Sequence, residues 1–99
     1  MSSYRNIVSD VISADRLVST EPCLLHGAVI LCSAAGGDAT IYDGHDASVG
    51  KSILPLKGPA NESVPVFPPE PIFCARGLYV DVGTSVTSVT VIWEPLGES

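Results

Sequence analysis

Alternation of apolar and polar positions is clearest from Gly77 to Trp93. Leu78, Val80 and Val82 fall on one side of an extended chain and Tyr79 and Asp81 on the other. After Gly83-Thr84 the pattern resumes, with Val89, Val91 and Trp93 alternating against Ser88, Thr90 and Ile92. A period of two residues is that of a half-buried strand, and the abundance of β-branched side chains suits a pleated surface. Turn formers at Pro22, Gly36-Gly37, Asp43-Gly44, Gly58-Pro59, Pro68-Pro69, Gly77 and Gly83 cut the chain into short runs. The spacing predicts strands at 6–13, 16–20, 23–33, 39–42, 51–56, 63–67, 72–74, 77–82 and 87–94. Such a series points to an all-β fold, a single-domain antiparallel β-sandwich of jelly-roll or Ig-like type over residues 1–99.

Two stretches depart from simple alternation. Ile7, Val8, Val11 and Ile12 recur at helical spacing, with Ser3 placed as a cap, but all four are β-branched, which favours a strand. Residues 1–13 are therefore read as an N-terminal arm or an edge strand, with Tyr4, Ile7, Val8 and Val11 as candidate assembly contacts. The run from Cys23 to Cys32 is apolar on both faces, Leu24, Ala28 and Ile30 against Leu25, Val29 and Leu31. That is expected of a central strand or of one covered on its second face by a neighbouring subunit. Six of the eight prolines lie between Pro55 and Pro71, so that region is expected to be loop, edge strand or extended chain.

Composition narrows the function. With 45% hydrophobic and only 16% charged residues, a monomer has few charges to cover its surface, which suggests shared apolar area. The net charge of −6, with the five bases scattered, disfavours nucleic-acid binding. The Cys23–Cys32 run is far shorter than the ~20 residues of a membrane-spanning helix. The first residues lack the pattern of a secretion signal, so folding in a cytoplasm is expected. Cys23, Cys32 and Cys74 have no metal-ligand spacing and read as reduced, buried thiols. No metal or other cofactor is expected.

Catalytic candidates are few. Asp43-Gly44-His45-Asp46 gathers two carboxylates and an imidazole, yet Asp-Gly is a turn signal and Ala47, Ser48, Val49 and Gly50 do not continue a calcium loop. A hairpin tip is the expectation there, with ion binding by Asp43, His45 and Asp46 left open. His26 reads as a satisfied core histidine. Asn61-Glu62-Ser63 matches a glycosylation sequon and is taken as chance. Trp93 and Phe73 are expected in the core, which leaves Tyr42 and Tyr79 as surface aromatics. No nucleophile elbow, phosphate loop or Cys-His signature occurs, so the chain is read as non-enzymatic.

The order Cys23-Leu24-Leu25-His26-Gly27, Thr40-Ile41-Tyr42-Asp43, Gly50-Lys51-Ser52-Ile53, Pro69-Glu70-Pro71-Ile72, Gly77-Leu78-Tyr79-Val80-Asp81-Val82 and Ser88-Val89-Thr90-Val91 resembles that of small β-sandwich virion structural proteins of tailed bacteriophages, including capsid decoration (cement) proteins. The resemblance runs from Thr20 onward and transfers no functional residue. It implies a homo-oligomer, with a trimer favoured, that binds the major capsid protein or another virion protein and assembles onto the virion in the host cytoplasm. The alternative is a carbohydrate- or receptor-binding module of a phage tail or baseplate, with a hydrolase a distant third.

Overall fold

The computed structural model describes residues 7–96, and among these the chain forms nine strands and no helix. They are β1 (Val8–Ile12), β2 (Arg16–Ser19), β3 (Cys23–Cys32), β4 (Gly37–Asp43), β5 (Lys51–Gly58), β6 (Ser63–Val66), β7 (Ile72–Cys74), β8 (Leu78–Val82) and β9 (Val86–Pro95). The first sheet runs β1-β9-β3-β6, with β7 also on β3; the second runs β2-β8-β4-β5. Every pairing is antiparallel. The sheets pack face to face as a β-sandwich, and the radius of gyration, 13.2 Å, is close to the ~13 Å of a 100-residue globule.

Side-chain alternation sorts the chain between core and surface. On β3, Cys23, Leu25, Ala28 and Ile30 are fully buried, and on β9 so are Val89 and Val91. Ile41, Leu56, Leu78 and Val80 meet them from the second sheet. The segment with ambiguous spacing, β1, is a strand and specifically the edge strand next to β9. Its Ile12 is 1% exposed, opposite Val89, while Val11 is 67% exposed. Asp10 also faces inward at this edge, where its Oδ2 accepts a hydrogen bond from Trp93 Nε1 at 2.9 Å. Trp93 thus packs on the core with its polar tip satisfied, as buried indoles require.

Strands consecutive in sequence mostly lie in different sheets. The turn at Gly83-Thr84-Ser85 carries the chain from β8 in the second sheet to β9 in the first, aided by Ser85 at φ 68°. Between β4 and β5 the chain does make a hairpin, with Asp43 closing β4 opposite Lys51 and Gly44-His45-Asp46 in the connection. The proline-rich region supplies β5 and β6, edge strands of the second and first sheets, where missing N–H groups are tolerated. At one end of the sandwich, Ser33 N and Oγ both donate to Ser85 O, at 2.9 and 3.0 Å, and Asn61 N donates to Ser33 O at 2.9 Å. These bonds tie three turns together.

Candidate functional site

At the opposite end, the acidic hairpin connection is committed to its own architecture. Asp46 Oδ1 accepts hydrogen bonds from Val49 N, Ser48 N and Ser48 Oγ at 2.9, 3.0 and 3.1 Å. These bonds, led by that from Val49, hold its carboxyl below the ordinary aspartate range. Asp43 Oδ1 accepts from Arg76 N at 2.8 Å, and His45 Nε2 donates to Thr20 O at 3.3 Å. The loop therefore pins the β7–β8 connection and the β2–β3 turn. Gly77, at φ 144°, completes the junction, since a Cβ there would sit 2.5 Å from Ser19 O. Among the described residues no three His, Cys, Asp or Glu groups converge to hold a metal. A shallow depression lined by Gly44, His45, Val49 and Arg76 opens beside this loop.

Tyr42 and Tyr79 meet on the outer face of the second sheet, with ring centroids 6.4 Å apart and planes at 58°. Both are half-buried. Burial, followed by the charges of Asp15, Asp81 and Asp46, raises the Tyr79 pKa. Next to it, the Asp81 carboxyl titrates above its ordinary value, first through burial and then through the charge of Asp15, a hydrogen bond with Asp15 and the charge of Asp38. Asp15 is held in place because its Oδ1 accepts from Val82 N at 2.7 Å. With the folded pKa raised, ionised Asp81 opposes folding above that pKa, and the penalty disappears as pH falls toward the unfolded value. Asp81→Asn is expected to stabilise the protein at pH 7 by a few tenths of a kcal/mol, solvent screening keeping the gain small. The gain in melting temperature should shrink toward pH 4, and an unchanged gain across that range would exclude this electrostatic cause.

The outer face of the first sheet has a different character. Register places Val11 of β1, Ile92 of β9, Leu24, Val29 and Leu31 of β3 and Phe73 of β7 on this side, and Ile7 directly precedes β1. Exposure is 48% at Ile7, 67% at Val11, 38% at Leu31 and 58% at Phe73. Phe67, 54% exposed just after β6, lies over Gly27, where a Cβ would fall 2.1 Å from the ring. Glycine thus provides the seat for this aromatic. The register shift between Leu25 and Gly27 makes His26 the extra residue of a bulge. Its Nε2 lies 3.0 Å from Glu94 Oε1, with side-chain exposures of 16% and 13%.

Several sequence expectations are refined here. Phe73 faces solvent rather than the core, because Ile72 and Cys74 take the inward positions of a three-residue strand. His26 is a bulge residue paired with Glu94 rather than a core histidine. Of the candidate assembly contacts, Ile7 and Val11 are exposed, Val8 is half-buried opposite Trp93, and Tyr4 lies outside the described residues. Phe67 and Leu31 were not singled out as contacts. Simple alternation grouped Leu31 with Leu25 and Leu24 with Ala28 and Ile30, but the bulge at His26 switches the faces, so that Leu25, Ala28 and Ile30 point inward and Leu24, Val29 and Leu31 outward. All three cysteines are buried and free. Compared with protein-family models, with curated proteins and with solved structures, the chain finds no match in any of the three.

Proposed function

We propose that this is a non-enzymatic virion structural protein, a capsid decoration or cement protein, whose copies pack on one another through the outer face of the first sheet. The assembled unit, a trimer in this reading, binds the capsid shell. The observation that carries self-association is the apolar outer face bearing Ile7, Val11, Leu31, Phe67 and Phe73, where Glu94 has His26 as a partner. Copies of a chain with net charge −6 repel, and contact through a face poor in charge minimises that cost. The virion setting rests on the resemblance in the order of strands and turns.

Light scattering should give a multiple of the 10.3 kDa chain mass. Phe73→Glu combined with Val11→Lys should weaken self-association by at least about tenfold while preserving the β-type circular dichroism. Purified particles should contain the protein, and the double variant should be incorporated poorly. A strictly monomeric protein at high concentration, absent from particles, would overturn the proposal. The second reading, a carbohydrate-binding module, is favoured by the Tyr42–Tyr79 pair beside Asp15 and Asp81. It ranks second because two half-buried rings tilted at 58° make a poor flat platform for a sugar.

A further inference from the structure

Cys23 and Cys74 are direct cross-strand partners on β3 and β7, and both side chains face the core with 0% exposure. Facing residues of an antiparallel pair have Cα atoms about 4.5–5.5 Å apart, within the roughly 4.4–6.8 Å that a disulfide spans. Cys32 lies at the far end of β3, about 30 Å along the strand from Cys23, beyond reach of either. We propose that Cys23 and Cys74 are a latent staple: exposure to a peroxide joins them in a disulfide that locks β7 onto β3.

Cys74 Sγ donates to Ile72 O at 3.7 Å, and the two thiols also interact with each other. The neighbouring Cys74 thiol, and secondarily Ser19, lowers the pKa of Cys23 against the opposing effect of burial, whereas Cys74 is raised by Cys23 and by burial. Either thiol can attack first with the same disulfide as product, and Cys23 serves as the example. Its thiolate attacks one peroxide oxygen, the O–O bond breaks, and the departing hydroxide takes the thiol proton as water, leaving a sulfenic acid. Cys74 then attacks that sulfur; the S–S bond forms, the S–O bond breaks, and a second water carries away the Cys74 proton. Two thiols are oxidised and one peroxide is reduced to two waters.

Access comes from β7 itself. It is three residues long, pairs with β3, and lies between Pro68-Pro69-Glu70-Pro71 and Gly77. So short an edge strand opens at far lower cost than the whole domain unfolds, which admits a small oxidant to both sulfurs. Once formed, the cross-link closes about half of the sequence into one loop and removes that opening.

Incubating the reduced full chain with excess hydrogen peroxide, followed by unfolding, alkylation and peptide mass mapping, tests the proposal. The expected product has lost the mass of two hydrogens, with Cys23 joined to Cys74 and Cys32 still alkylated. Its melting temperature should rise by roughly 10 °C and return on adding dithiothreitol. Cys23→Ser and Cys74→Ser should lose the shift, and Cys32→Ser should keep it. If the serine variants fold poorly, the mapped linkage and reversible shift in the parent chain decide alone. Sulfinic acids in place of a disulfide, a linkage through Cys32, cross-linked chains or a lowered melting temperature would each overturn the proposal.

Discussion

Leu25→Ala is expected to destabilise the fold by about 3 kcal/mol and lower the melting temperature by roughly 15 °C, whereas Leu24→Ala one position away costs about 1 kcal/mol or less. Leu25 is fully buried between Trp93 of β9 and Ile72 of β7, so truncation leaves a cavity that three strands cannot collapse together to fill. Leu24 points to the opposite side, between Glu94 and Phe73. Under the proposed self-association, its loss should instead weaken association between copies. Thermal melts and light scattering on the two variants separate core from contact face. Equal destabilisation by both would mean that the alternation along β3 has been assigned wrongly.

Deleting residues 1–12 should be at least as damaging, and its damage should appear in folding before assembly. The deletion removes the whole of β1, the buried Ile12 and the Asp10 acceptor of Trp93 Nε1. It also uncovers one side of β9, the ten-residue strand carrying Val89 and Val91. An exposed edge of that length is a template for pairing with other chains. The expected outcome is a fall in melting temperature of more than about 10 °C together with aggregation during expression. A truncated protein that melts like the parent but no longer associates would show that this segment acts as a separable docking arm.

Strand positions were readable because each core-facing run is bounded by its own turn formers. Even the 7–12 ambiguity resolved through chemistry, since four β-branched side chains outweighed helical spacing. What sequence could not supply was which strands become neighbours. Leu78–Val82 and Val86–Pro95 adjoin in the chain yet enter opposite sheets, and nothing local to Gly83-Thr84 distinguishes that crossing from a hairpin. Long-range pairing likewise hid the roles of His26, whose partner Glu94 is 68 residues away, and of Phe73, whose strand is too short for alternation to be read. The register of Cys23 with Cys74 depends on the same pairing.

Each margin of the two sheets carries an obstacle to further strands. Asp10 turns a carboxylate inward on β1, β6 contains Pro65 and β5 Pro55, β7 is only three residues long, and β2 shifts register between Leu17 and Ser19. These are recognised means of discouraging edge-to-edge growth. Growth by strand addition would be open-ended and give ribbons or fibrils, and the blocked margins oppose that route. A concentrated solution of the folded protein should accordingly remain clear and free of thioflavin-binding fibres, and Asp10→Val would remove one of the barriers that keep it so.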